Sequence, residues 1–156
     1  RASGSDEPLT HAADALSAGE MVAIMPQGTI PRGPAFFDPQ LRGRWGAAKL
    51  ARMTNATVVP IGLWGTEKVW PRNARYPNIL QITSPPDVQV VVGKPMQLES
   101  DDPDLNTARI MDEISLLLPE EGRVAYEPTD EELIRTYPSS YKGDPRAEAE
   151  RRPGTD

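Results

Sequence analysis

The chain has 156 residues, 38% of them hydrophobic, which suits one domain or part of a larger one. It contains no cysteine, which excludes a disulfide framework, a cysteine zinc site and a thiol nucleophile. The net charge is −6, yet the segment from Arg32 to Arg75 carries eight basic and two acidic residues, a local charge of +6. Such a segment can hold an anionic small molecule, or it can be a solvated face paired with the acidic flanks.

Hydropathy and overall charge argue against some locations and partners of the protein. No apolar run reaches the about 20 residues that a membrane-spanning helix needs, and there is no secretory signal. Overall acidity and the lack of a basic helix with interleaved aromatic residues argue against nucleic acid as a partner. The chain begins with Arg1 rather than methionine, so we expect residues upstream of it.

The first half of the chain alternates helical and strand-like segments. Residues 8–17 are rich in alanine and leucine and are followed by Gly19, which predicts a short helix with a glycine stop. The apolar run at 21–25 predicts a buried strand. A proline- and glycine-containing loop covers 26–41, and loops of this length in compact domains are often functional. Residues 42–54 resume helical spacing.

The second half adds strands and a longer helix. Residues 57–61 predict another buried strand, with Pro60 at its end or at a sheet edge because proline has no N–H to donate. After a second long loop at 63–78, further strands are predicted at 79–83 and 88–92. Asp102 and Pro103 are typical of a helix start, and the helix should run over 104–118. Its apolar residues should make one buried face: Leu105, Ala108, Met111, Ile114, Leu117 and Leu118.

The composition changes after Pro119. Residues 129–132 have the form of a capping box and predict one short helix, but the rest is polar and rich in proline. We therefore divide the chain into a domain, 1–118, and a proline-containing acidic arm, 119–156, which wraps the domain and whose last ten residues should be mobile. The order of elements predicts an α/β fold, a mixed sheet flanked by helices, with ligands gathered at the carboxyl ends of strands.

The loop after the first predicted strand, MPQGTIPRG, has the chemistry of an anion cradle. Gly28 permits close approach of the backbone, Thr29 adds a hydroxyl, and Arg32 adds a forked cation suited to phosphate. Pro26 and Pro31 stiffen the loop. The P-loop and dinucleotide fingerprints are both absent. The alternative is that PQGT and IPRG are two structural turns.

Three blocks of the sequence resemble the glycerolipid acyltransferase family, of which 1-acyl-glycerol-3-phosphate acyltransferase is the best-known member. The family's F-P-E-G-T-R-S block corresponds to Met25–Pro31 (MPQGTIP), its small-residue helix to Gly46-Ala47-Ala48, and its V-P-I block to residues 58–61. The resemblance covers residues 8–96. It implies the glycerol-3-phosphate acyltransferase-like fold, incomplete at the amino terminus, so that the chain would be the carboxyl-terminal part of that domain.

The resemblance also implies roles for individual residues. Gly28, Thr29 and Arg32 would hold the phosphate of the acceptor, Gln27 would assist by hydrogen bonding, and Pro60 would shape the floor of the site. Arg1 falls where the family has an arginine that contacts this phosphate, and Pro26 belongs to the same block as Gln27. The sequence departs from the family at Gln27, which replaces glutamate, and at Ile30, which replaces arginine.

The family's catalytic block, N-H-x-x-x-x-D, has no counterpart in these residues. The one histidine, His11, is followed four positions later by Ala15, and Asp14 is only three positions away. In the family, the histidine deprotonates the acceptor hydroxyl and the aspartate orients the imidazole. We therefore assign no catalytic residue in this chain and read His11 as a half-exposed helical residue.

The implied reaction moves a fatty acyl group from acyl-CoA or an acyl carrier protein to a lysophospholipid or glycerol-phosphate acceptor, without a metal or other cofactor. The expected location is the cytoplasm, at the inner face of the membrane. Phe36, Phe37, Trp64 and Trp70 suit such a surface beside cations, or else they fill space under the loops. The amino-terminal half of the domain would be a further partner, supplied as a separate chain.

Two other interpretations stay open. One is a non-catalytic relative that binds a lipid or a protein partner, which the changes at Gln27 and Ile30 and the missing dyad favour. The other is an unrelated anion-binding α/β domain, which requires the three blocks to coincide by chance.

Overall fold

The computed structural model describes residues 6–77 and 83–147. The elements in these residues, in chain order, are α1 (Asp6–Ser17), α2 (Trp45–Thr54), β1 (Ile61–Trp64), α3 (Thr66–Val69), β2 (Gln89–Val92), α4 (Pro103–Leu116) and α5 (Asp130–Arg135). Two 3-10 turns are formed by Gly33–Phe36 and Glu120–Gly122. The class is α/β, as predicted, although the sheet within the described residues is small and antiparallel rather than mixed.

Both predicted amino-proximal helices are present, with different boundaries. The glycine stop of α1 is confirmed: Gly19 has φ +83°, and its N–H donates to the carbonyl of Leu16. Helix α2 begins at Trp45, three residues later than predicted, because Arg44 is extended and its N–H donates to Pro26 O (2.8 Å). That bond ties the start of α2 to the loop before it.

The prediction of a buried strand at 21–25 is wrong. No regular structure is assigned there, and Met21 and Met25 are 99% and 79% exposed. An apolar run becomes a buried strand only where a neighbouring strand and a covering layer receive it, and the described residues provide neither. Strand 79–83 lies almost wholly outside the described residues.

The sheet pairs β1 with β2, with Ile61 opposite Val92 and Trp64 opposite Gln89. Continuous pairing starts after Pro60, as expected for a residue that cannot donate to the ladder. The predicted strand 57–61 is therefore displaced: Val58 makes only an isolated bridge to Met96, and the strand runs on to Trp64. All four residues of β2 are exposed.

Helix α4 has the predicted start, since Asp102 accepts a hydrogen bond from the N–H of Asp104 (2.8 Å). The predicted apolar face is wrong in part. Leu105 is 62% exposed, and the buried residues are Asn106, Thr107, Ile110 and Met111. Asn106 can be buried because its amide donates to Ser100 O (2.6 Å).

Two sets of buried residues within 6–77 and 83–147 bear on the fold and on the loop. The first, the helical core, joins α2 to α4 and consists of Ala48, Ala51, Leu98 and Ile110. The second lies in the arm, where Leu133 and Tyr137 are each 1% exposed. The predicted capping box is confirmed: the Thr129 side chain accepts a bond from the Glu132 N–H, and the Glu132 carboxylate accepts one from the Thr129 N–H. The arm therefore carries buried residues of its own.

Candidate anion-binding site

The loop that joins residue 25 to the first 3-10 turn is shaped by a tight turn at Gly28. Gly28 has φ +65°, and its N–H donates to Met25 O (3.1 Å). This conformation is costly for any residue with a Cβ, which explains the glycine. The amide of Gly28 is thus used within the loop rather than offered to an anion, so any anion must be held by side chains and by other amides.

Arg44 lies directly on this turn. A Cβ at Gly28 would come within 2.8 Å of Arg44 Cδ and 3.0 Å of Arg44 Nε. The backbone of Arg44 is anchored to the same loop through Pro26 O. The absence of a side chain at Gly28 therefore makes room for the guanidinium of Arg44 against this turn.

A second arginine approaches from the other long loop. Nη1 of Arg72 lies 3.5 Å from the carbonyl oxygen of Ile30, at the long limit of a hydrogen bond. Partial burial, together with the positive charge of Arg32, lowers the pKa of Arg72 below its usual value. The two cations are thus close enough to repel each other, which an anion between them would relieve.

None of these three arginines is neutralised within the described ranges. The ion pairs there involve other cations: Arg42 with Asp38, Arg52 with Asp101 and Arg146 with Asp130. Arg32 and Arg44 form no side-chain hydrogen bond to a described residue. We call Arg32, Arg44 and Arg72 the arginine cluster. Guanidinium groups suit phosphate and carboxylate because their planar donors form two parallel bonds.

The other residues predicted for the site lie on the loop, at the sheet or outside the described residues. Gln27 is half-buried and Thr29 exposed, both on the loop itself, while Arg1 lies outside the described residues. Pro60 is buried at the start of β1, where its carbonyl accepts a bond from the Gly93 N–H (2.9 Å). The bonds of Pro60 thus belong to the sheet.

His11 is exposed on α1, and no hydrogen bond joins it to Asp14. Within 6–77 and 83–147, no group of three or more histidine, aspartate or glutamate side chains is arranged to hold a metal ion. Across the same residues, no helix is both long and apolar enough to pass through a bilayer. Phe36 and Phe37 are half-buried and packed edge to face, whereas Trp70 is 57% exposed.

The loop, the start of α2 and β1 all lie in the part of the chain that has known relatives. Residues 1–64 match the Acyltransferase family model. A 59-residue segment is 41% identical to an uncharacterized protein of Mycobacterium leprae (strain TN), covering 36% of this chain and 16% of that relative. No solved structure matches.

Sequence reasoning identified Arg32 but not Arg44 or Arg72 as candidate ligands. Both belong to the basic segment between Arg32 and Arg75, so their charge was visible. Their positions were not, because Arg44 reaches Gly28 from the far end of the loop and Arg72 comes from a separate loop. Distance from carboxylates in sequence would not have found them, because Arg52 is farther from any acidic residue in sequence and still pairs with Asp101.

Proposed function

We propose that this chain is part of an acyltransferase that binds a phosphorylated acceptor at the arginine cluster. The observation that carries the proposal is the convergence of Arg32, Arg44 and Arg72 on one loop. The loop, Arg32 and Arg44 lie within the segment that matches the acyltransferase family, and Arg72 lies beyond it. Three cations that have no carboxylate partner in the described part of the chain favour an anionic ligand with more than one charge.

The acceptor would be a lysophospholipid or a glycerol phosphate, and the acyl donor a thioester of coenzyme A or of an acyl carrier protein. The phosphate would be held mainly by Arg32, with Arg72 opposite it, and by the hydroxyl of Thr29. A water-insoluble acyl product favours work at the membrane surface, where exposed Trp70 and the basic segment would contact anionic lipids.

No residue of the described chain supplies the general base in this proposal. His11 is exposed and not bonded to Asp14, so the proton of the acceptor hydroxyl must be taken by a group that lies elsewhere in the enzyme. What this chain contributes is binding: it holds the acceptor by its phosphate equally in the ground state and in the transition state.

Acceptor kinetics of the full-length enzyme test the proposal. Arg32→Ala should raise the KM for a phosphorylated acceptor at least about tenfold with kcat little changed, because it removes uniform binding. Arg42→Ala is the matched control, since Arg42 lies in the same basic segment but is exposed and lies 4.0 Å from Asp38. Equal KM values for the two variants would remove Arg32 from the binding role.

A non-catalytic relative is the second candidate, favoured by Gln27 and Ile30 in place of charged residues and by the isolated His11. In that case the full-length protein would bind phosphorylated lipids with the same dependence on Arg32 but would transfer no acyl group from any thioester. Binding without turnover, in a sample shown to be folded, would select this candidate over the enzyme.

A further inference from the structure

We propose that Thr136 and Tyr137 of the arm are positioning residues of the anion site, which fix the loop at Gly33 and thereby hold Arg32 in place. The proposal rests on the proposed function, since it concerns the same site. It makes the arm a working part of the site, although the arm lies about a hundred residues away in sequence and outside the segment matched by the family.

A buried hydrogen bond joins the arm to the loop. The N–H of Gly33 donates to Thr136 Oγ1 (2.8 Å), and the same hydroxyl donates to Leu133 O (2.7 Å). Thr136 is 5% exposed, so water cannot readily replace either bond. A hydroxyl that both accepts and donates is fixed in orientation, and it fixes the backbone that it serves.

The fit around Gly33 is tight. Gly33 has φ +57°, and a Cβ there would lie 2.5 Å from the hydroxyl of Tyr137 and 2.9 Å from Pro145 O. Only glycine satisfies both the backbone angle and the available space. The loop and the arm are therefore in direct contact at this residue.

Tyr137 is itself held firmly. Its ring is stacked on Tyr141, with centroids 4.0 Å apart and planes 12° from parallel. Its hydroxyl donates to Ala147 O (3.1 Å). Burial raises the pKa of Tyr137, Tyr141 adds to the rise, and the charge of Arg32 opposes it, which is consistent with Arg32 lying near this ring.

The anchor at Gly33 limits the position of Arg32 because the two residues are neighbours in the chain. Arg32 directly precedes the anchored Gly33 and is extended, with φ −136° and ψ 158°. Its guanidinium forms no bond within the described residues that would orient it, so the backbone anchor limits where it can reach. A preorganised cation loses less freedom on binding an anion, and affinity rises accordingly.

The experiment compares full-length wild type with Thr136→Val, Thr136→Ser and Ile110→Val. Valine keeps the shape of threonine but cannot accept the Gly33 bond, and serine keeps the hydroxyl. Ile110→Val weakens the helical core without touching the loop. Amide hydrogen exchange over residues 26–37 is measured without ligand, and the affinity for inorganic phosphate is measured by calorimetry.

We expect Thr136→Val to speed exchange over 26–37 about tenfold and to weaken phosphate binding about fivefold. Thr136→Ser should stay within about twofold of wild type in both measurements. Ile110→Val should leave the exchange rate over 26–37 and the phosphate affinity unchanged. Unchanged exchange in Thr136→Val would overturn the positioning role, whether or not phosphate binds. So would an unchanged phosphate affinity in a variant that exchanges faster.

The proposed function fails separately. If wild type does not bind phosphate and Arg32→Ala changes nothing, the anion site is refuted. Faster exchange confined to Thr136→Val would then support the anchor at Gly33 as a structural contact only, and the positioning role would fall together with the site.

Discussion

The helical core and the buried residues of the arm differ in which parts of the chain they bring together. The helical core draws on aliphatic residues at helical spacing in α2 and α4, together with Leu98. In the arm, Leu133 and Tyr137 are each 1% exposed, and the hydroxyl of Tyr137 lies against Gly33 of the loop. The helical core supports the scaffold, whereas the buried residues of the arm fix the part of the chain that carries Arg32.

Shortening one buried side chain in the arm and one in the helical core should separate support of the scaffold from support of the loop. These two substitutions should have the largest effects on stability. Leu133→Ala and Ile110→Ala should each lower the free energy of unfolding by about 2–5 kcal/mol, since both remove a nearly fully buried side chain. Only Leu133→Ala should also speed amide exchange in residues 26–37. Chemical denaturation and exchange mass spectrometry check both, and equal loop exchange in the two variants would contradict the comparison.

Gly33→Ala should destabilise the protein by about 2–4 kcal/mol, because a positive φ costs about 1–2 kcal/mol and the collision with Tyr137 adds a similar amount. Gly19→Ala is the matched control. Its φ of +83° imposes the backbone cost, but nothing lies within 4 Å of the added Cβ. Chemical denaturation should therefore show a smaller loss of stability for Gly19→Ala than for Gly33→Ala. The reverse order would indicate that Tyr137 moves away from the added Cβ without loss of stability.

Thr107→Val should stabilise the helical core by about 1 kcal/mol. The hydroxyl of Thr107 is buried without a hydrogen-bond partner in the described part of the chain. Replacing it with a methyl group removes the cost of that unpaired group. Urea denaturation measures the change, and Thr54→Val serves as control, since the Thr54 hydroxyl donates to Leu50 O (2.8 Å) and its loss should not stabilise. A Thr107→Val variant less stable than wild type would contradict this reading.

The smallest expected effect is a pH dependence of α5. The Thr129 N–H, then the Thr129 hydroxyl and then Tyr126 lower the pKa of Glu132 below its usual value of 4.5. A lowered pKa in the folded state gives stability that is present above the unfolded pKa and lost as the pH falls through the folded one. NMR shifts of the Thr129 amide, followed from about pH 6 to about pH 2, should show the cap opening at the acidic end.

The matched variants for that titration are Glu132→Gln and Glu131→Gln, which make the same charge change. Glu131→Gln should keep the acid-induced change in the Thr129 amide because Glu132 carries the capping bonds. An unchanged titration in Glu132→Gln would show that another group controls the cap.

Local signals predicted the ends of three helices, whereas α3 (Thr66–Val69) lies inside the loop predicted at 63–78. The glycine after α1, the Asp102-Pro103 start of α4 and the capping box of α5 each depend on a few neighbouring residues, and all three are confirmed. The strand at 21–25 failed because strands depend on distant partners. The exposed Leu105 shows the same limit, since helical periodicity does not say which face meets α2.

The candidate site was predictable only as a loop. Gly28, Thr29 and Arg32 were visible in sequence because they lie within one short stretch of the chain. The positions of Arg44 and Arg72 could be found only from the structure. Arg44, at the far end of the loop, lies against Gly28, and Arg72 comes from a second loop to Ile30. Thr136 and Tyr137 carried no signal, because their contacts with Gly33 span about a hundred residues of sequence.

The measurement that tests the central claim most directly is an NMR titration of the full-length protein with inorganic phosphate, following the arginine side-chain N–H groups and the backbone amides. The account predicts saturable shifts at Arg32, Arg44 and Arg72 and at the Gly33 amide, with Arg52 and Arg146, which are already ion-paired, unchanged. Shifts that fail to saturate, or that fall equally on all arginines, would contradict it.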